Sequence, residues 1–225
     1  YTPRTLFPYT TLFRSLNNQS GSLLGSAIAI DFGAATADLN NSGGLITTVG
    51  VLSIQHLRDL SNRNGEISST QSLDLSARAL DNTGAKLISN NVLTVNADTV
   101  QNLGGLLSGW QGLSLTSNGL DNRNKGTLSS RDGDVSVAVS GEVLNSGEGA
   151  IVSRKDLNLN AANLDNSNGG VISSGGAQTL TLSGLLTNAQ GGLIDSGAAL
   201  VIQAMTLGNA DRKSTRLNSS HRLYL

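Results

Sequence analysis

The chain has 225 residues, with 15 Lys and Arg against 16 Asp and Glu, 27 Gly, 2 Pro and no Cys, and aromatic residues make up 3%. These figures exclude disulfide scaffolds, Cys-ligated zinc or iron–sulfur sites and thiol catalysis, and they favour an aliphatic, turn-dense core over an all-helical one built on large rings. No apolar run approaches the roughly 18 residues of a membrane helix, and with Tyr1 in place of an initiator Met the chain is expected to be a piece of something longer.

In chain order the first segment, 1–15, and the last, 211–225, differ from everything between. Together they hold both prolines, Pro3 and Pro8, five of the seven aromatics and six of the fifteen basic residues. The run Thr5 to Ser15, TLFPYTTLFRS, resembles translated sequencing-adapter sequence, and Asp211 to His221, DRKSTRLNSSH, resembles its partner. Both ends are therefore expected to be adapter-like artefact or disordered tail and are set aside from the fold. Residues 16–210 then carry 15 acids and 9 bases, net −6, without the basic cluster that nucleic-acid binding needs.

Between these ends runs one repeat. An aliphatic residue, any residue, then Asn opens each unit: Leu16 with Asn18, Leu39 with Asn41, Leu60 with Asn62, Leu80 with Asn82, Val100 with Asn102, Leu120 with Asn122, Val143 with Asn145, Leu164 with Asn166, Leu186 with Asn188 and Leu207 with Asn209. The spacings are 20 to 23 residues, which makes nine complete units. A glycine-containing turn follows each Asn. A short strand is then expected around Leu24, Ile46, Ile67, Ile88, Leu107, Leu128, Val152, Ile172 and Ile194.

A second turn leads to strict alternation, as in Leu52 and Ile54, Leu73 and Leu75, or Leu113 and Leu115, and period two means strand. One unit holds too few inward aliphatics to offset the entropy of ordering its own backbone, so a lone unit cannot fold. Stacking equivalent strands of successive units pairs their N–H and C=O groups and merges their aliphatics into one core. The expectation is an all-β parallel β-helix of about nine coils. The recurring Asn is expected to take the left-handed conformation and to bond its amide to the same amide one coil away, with Gly at the other positive-φ corners. A leucine-rich repeat is excluded by spacing. Its Asn would follow the second Leu by three positions, whereas three positions after Leu75 stands Arg78, and the Asn is Asn82.

The motifs LDNSNGGVISSGGAQTLTLSG (Leu164 to Gly184), LDNRNKGTLSSRDGDVSVAVSG (Leu120 to Gly141) and LDNTGAKLISNNVLTVNA (Leu80 to Ala97) resemble the roughly 20-residue haemagglutinin repeat of filamentous haemagglutinin-type, HecA-like adhesins. The resemblance covers residues 16–210. It implies a right-handed β-helical shaft of a large exoprotein, exported by two-partner secretion and secreted or held at the cell surface of a Gram-negative bacterium. Implied partners are the neighbouring coils of the parent, the outer-membrane two-partner secretion transporter and host or bacterial cell-surface glycans or receptors. No nucleic acid is expected as a partner.

A functional constellation would have to break the repeat. His56 is the only His in residues 16–210 and is read as a surface or turn residue without a metal or triad partner. Arg131, Asp132, Gly133 and Asp134 are read as an ordinary turn rather than a cation site. Trp110 is read as a packed corner residue rather than an exposed sugar-stacking one, and Phe32 as a cover on one side of the core. The acids Asp74, Asp134 and Asp156 are taken to share no repeat position with acids in neighbouring coils, so the paired carboxylates of a polysaccharide-acting enzyme are not expected. The expectation is no catalytic, cofactor-binding or metal-binding residue, and a shaft that mediates display and adhesion. The alternative is the delivery stalk of a contact-dependent growth-inhibition toxin. As a piece of a shaft, the chain is expected to associate end to end.

Overall fold

The computed structural model describes residues 15–33, 37–210 and 222–224. It is an all-β solenoid of about nine turns, and every strand pair among the described residues is parallel. The tails expected at 1–15 and 211–225 lie outside the described residues, apart from two short pieces. Ser15 belongs to the first strand, Ser15–Asn17, and Arg222–Tyr224 runs parallel to Leu200–Gln203.

Two sheets wrap the core. The nine-stranded sheet stacks the short strands from Ser22–Gly25 to Leu193–Ser196. The sixteen-stranded sheet stacks the alternating strands, which in the middle coils run on unbroken into the next opening motif, as in Leu73–Asp81, Val92–Gln101 and Gly112–Asp121. In later coils the same path is split, for instance into Asp134–Val139 and Glu142–Leu144. Leu52, Leu73, Leu93, Leu113, Val135 and Leu157 stack in register at one level of the core, with Ile54, Leu75, Val95, Leu115, Val137 and Leu159 two residues further on. All twelve are buried, while Asp74, Ser114, Ser136, Asn158 and Thr181 point outward as the alternation requires. Phe32 is buried against this core, as expected.

The asparagines form the expected ladder. From Asn18 to Asn209, each Nδ2 donates to Oδ1 of the Asn one coil on, through nine bonds of 2.6 to 3.1 Å. The amide nitrogen also faces turn carbonyls, such as those of Gly44 and Glu66 for Asn41. Asn41 to Asn166 are completely buried. Inside a core a polar row of this kind is tolerated only because each member bonds the next.

The left-handed conformation expected at these asparagines falls elsewhere. In the first five coils one residue, two after the Asn, has positive φ: Ser20, Gly43, Asn64, Gly84 and Gly104. In the last four, two consecutive residues do: Asn124 and Lys125, Gly147 and Glu148, Asn168 and Gly169, Gln190 and Gly191. The turn thus gains one residue at the sixth coil. The inward aliphatic of the short strand, partly buried in the end coils at Leu23 and Ile194 and buried between, follows the opening aliphatic by seven residues in coils one to five and by eight thereafter.

The strand register corrects the short strand in three coils, where the inward residues are Leu23, Leu87 and Ile151 rather than Leu24, Ile88 and Val152. In each of those coils two aliphatics are adjacent, and only the register to the ladder decides which one faces in. The residue that closes the turn is held small by a carbonyl rather than by φ. A Cβ at Gly65 would lie 2.3 Å from the Asn41 carbonyl oxygen, and one at Gly105 would lie 2.2 Å from that of Asn82.

Two polar features complete the core. A second polar row, Thr48, Ser69, Ser89, Ser130, Ser153 and Ser174, is buried two residues beyond the inward aliphatic. Its hydroxyls bond corner carbonyls, as Ser89 does with Gln71 at 2.6 Å and Ser153 with Gly133 at 2.9 Å. In the eighth coil the position equivalent to Leu157 is Gln178, and the inward pair Leu180 and Leu182 sits opposite Leu159 and Ala161. Gln178 is fully buried between Leu157 and Leu200, and neither atom of its amide has a hydrogen-bond partner.

Candidate functional site

Among the described residues no three His, Cys, Asp or Glu side chains gather closely enough to hold a metal ion. His56 sits at positive φ (57°) in the bulge between Ile54 and Leu57, exposed, with Nδ1 2.7 Å from Asp31 Oδ1. The hydrogen bond to His56, with help from the Gly33 N–H, holds the Asp31 carboxyl below the usual range. This is a turn His tying coil one to coil two.

Charged side chains over most of the shaft pair with opposite charges, usually one coil away. Arg58 meets Asp38, Arg78 meets Asp59, Arg63 meets Asp81, Lys86 meets Glu66, Lys125 meets Glu148, and within one turn Arg123 meets Asp121. The Arg58 hydrogen bond lowers the Asp38 carboxyl, and that of Arg123 lowers Asp121. These pairs are exposed, and they fix register more than they add stability.

The structure corrects one reading of the acids. Asp134 and Asp156 precede the paired residues Val135 and Leu157, so they occupy the same position in adjacent coils. One-residue differences in turn length hide this alignment in the sequence. Each carboxylate accepts a backbone N–H from the next coil, Asp134 from Asp156 at 3.0 Å and Asp156 from Ala177 at 2.8 Å. The pair therefore caps a corner, and Ala177 continues the row without a third acid.

Trp110 is also corrected. It lies at the corner, but 43% of it is exposed, and Arg131 lies over its ring 4.7 Å from the centroid. Trp110, Arg131 and Arg154 directly follow Gly109, Ser130 and Ser153, which are mutually paired, so the three occupy one position in three successive coils. A shallow groove of about 330 Å³ opens beside the two arginines, lined by Ser130, Arg131, Val152, Arg154, Ser174 and Gly175 among others and not by Trp110. Sequence reasoning missed it because each of its residues is an ordinary turn residue in its own coil.

A continuous parallel solenoid with a buried amide ladder and charges paired from coil to coil defines a repeat shaft. The haemagglutinin repeat model matches residues 14–103, 88–147, 132–190 and 188–225, and the chain belongs to this filamentous haemagglutinin-type repeat family. The family is typical of secreted or cell-surface bacterial adhesins. No curated protein and no solved structure matches the chain.

Proposed function

We propose that the chain is a non-catalytic shaft segment of a large secreted filamentous haemagglutinin-like adhesin, contributing length and display surface at the exterior of a Gram-negative bacterium. The observation that carries this reading is the unbroken Asn ladder from Asn18 to Asn209, which joins every coil to the next by the same side-chain bond. Regular repetition suits a spacer, because each added coil lengthens the rod and buries the edge of the last. A growth-inhibition stalk would use the same shaft with a different passenger.

The test uses the purified chain. Beads coated with it are expected to adhere to epithelial or bacterial cell layers above an albumin control, and the soluble protein should release no reducing ends from pectin, alginate or hyaluronan. Failure of the beads to adhere would contradict the adhesive role. Polysaccharide cleavage abolished by Asp134→Asn or Asp156→Asn would overturn the non-catalytic one.

A further inference from the structure

The coils of this shaft are not equally bound to one another. Between described residues, every ion pair that links two coils lies at or before Glu148, the last being that of Lys125 with Glu148. The strands divide in the same way. Val92–Gln101 and Gly112–Asp121 each run unbroken for 10 residues, whereas the path of the eighth coil is split into Gln178–Leu182 and Leu185–Thr187, and that of the ninth into Leu200–Gln203 and Thr206–Gly208. The last ladder bond, from Asn188 to Asn209, is the longest of the nine at 3.1 Å. Leu185, Leu193 and Met205 are exposed there, and Ile194 and Leu207 are only partly buried.

Gln178 stands at the head of this stretch. It takes the core position of Leu113, Val135, Leu157 and Leu200, is fully buried, and bonds nothing through its amide. The stability of a solenoid is close to a sum over coils and their interfaces, so one weak interface divides it into units that open separately. The closed core strips water from the Gln178 amide and supplies no partner. Opening at that row returns the amide to water, so the chain opens there at lower cost than at an aliphatic rung. The eighth coil is also short of apolar contact below it, since only Leu180 and Leu182 remain to pack over Leu159 and the small Ala161. Once the ninth coil lifts, the long strand of the eighth has too little burial to stay down alone.

We propose that Gln178 is a seam built into the core, at which the chain from Gln178 to residue 210 opens and closes as one unit on a shaft that stays folded before it. The open state bares Leu157–Ala161 as the edge of the long sheet and Val171–Ser174 as the edge of the short one. A rod of otherwise matched coils thus has one place at which it yields first.

The test is hydrogen exchange of the whole chain at rising urea below the unfolding midpoint, read by peptide mass spectrometry. Amides of Gln178–Leu182 and Leu200–Gln203 are expected to exchange through one shared opening, whose urea dependence is well below that of global unfolding because it exposes less surface. Those of Val92–Gln101 should exchange only as the whole shaft unfolds. In Gln178→Leu, which completes the row of Leu157 and Leu200, exchange in the two seam strands should slow about tenfold or more, the penalty of an unpaired buried amide. Thr179→Ser, a change on the outward face of the same strand, should exchange as the parent does. The seam is overturned if all three strands share one urea dependence, if Leu200–Gln203 opens while Gln178–Leu182 stays protected, or if Gln178→Leu leaves their exchange unchanged or faster.

Discussion

Asn82 donates its side-chain amide to Oδ1 of Asn102 across 2.8 Å, and neither residue has any exposed surface. The two are 20 residues apart in the chain and one coil apart in space. Every other rung repeats this relationship, so the corner is one polar filament inside an aliphatic core. Such a filament couples each coil to the next through side chains as well as through the sheets.

The glycines that close the ladder turns are fixed by contact with the coil before. A Cβ on Gly105 would sit 2.2 Å from the Asn82 carbonyl oxygen and 2.5 Å from Asn102 Oδ1, whereas one on Gly119 would meet nothing within 4 Å. Gly105→Val is expected to destabilise by about 2 kcal/mol or more through overpacking, the equivalent position of the preceding coil holding nothing larger than the methyl of Ala85. Gly119→Ala should be neutral or slightly stabilising, since it only restricts the unfolded chain. Urea midpoints of the two variants check this, and equal midpoints would contradict it.

The added turn residue at the sixth coil offers a second test. Removing Lys125 leaves Asn122, Arg123, Asn124 and Gly126, the same residue types as Asn62 to Gly65. Lys125 also pairs with Glu148, an exposed contact. The deletion variant should fold with unchanged strand content by circular dichroism and a midpoint within about 1 kcal/mol of the parent. A chain that fails to fold would show that the five-residue turn is required at that coil.

Gln178 interrupts an aliphatic row with an amide that bonds nothing. Burying an unpaired amide costs on the order of 1 to 3 kcal/mol, and Leu157 and Leu200 on either side show the shape the site accepts. Gln178→Leu is therefore expected to raise the unfolding free energy by about that amount. A lower melting temperature would mean that the amide has a role the contacts do not reveal.

The depressed carboxyls set the acid limit of the fold. The Arg58 hydrogen bond lowers Asp38, and that of Arg123 lowers Asp121. Burial opposes ionisation of Asp81 and Asp165, but hydrogen bonds from Thr83 and Arg63 to the first and from Ser167 to the second outweigh it. A folded pKa below the unfolded one stabilises above the unfolded value and is lost as pH falls through the folded one. These groups should therefore contribute fully at pH 5 and above and lose their contribution progressively below about pH 4. Thermal melts from pH 7 to 2.5 check the sign, and a midpoint that rises on acidification would refute it.

Much of this shaft was legible in the residues. Ten Asn spaced by 20 to 23 residues and alternating pairs such as Leu73 and Leu75 carry the coil number, the ladder and the inward faces of the long strands, because stacking forces equivalent residues into contact. Neighbouring aliphatics such as Leu87 and Ile88 were ambiguous, since both are apolar and only the turn length separates them. The same one-residue drift hid the alignment of Asp134 with Asp156. Gln178 lay outside the alternation that marked Leu180 and Leu182, and the groove beside Arg131 and Arg154 exists only where three coils meet. Sites on a solenoid are assembled across coils, so they become visible once register is known.

The central claim is that the buried amide ladder holds the coils together, and a matched pair of Asn substitutions tests it most directly. Asn122 is completely buried and bonds both Asn102 and Asn145, while Asn96 points outward from the neighbouring strand and is exposed. Asn122→Ala should cost about 2 kcal/mol or more in urea unfolding, since it removes two amide bonds and leaves the Asn102 and Asn145 side chains short of a partner, whereas Asn96→Ala should cost less than about 0.5 kcal/mol. Equal unfolding midpoints for the two variants would contradict the ladder as the element that couples one coil to the next.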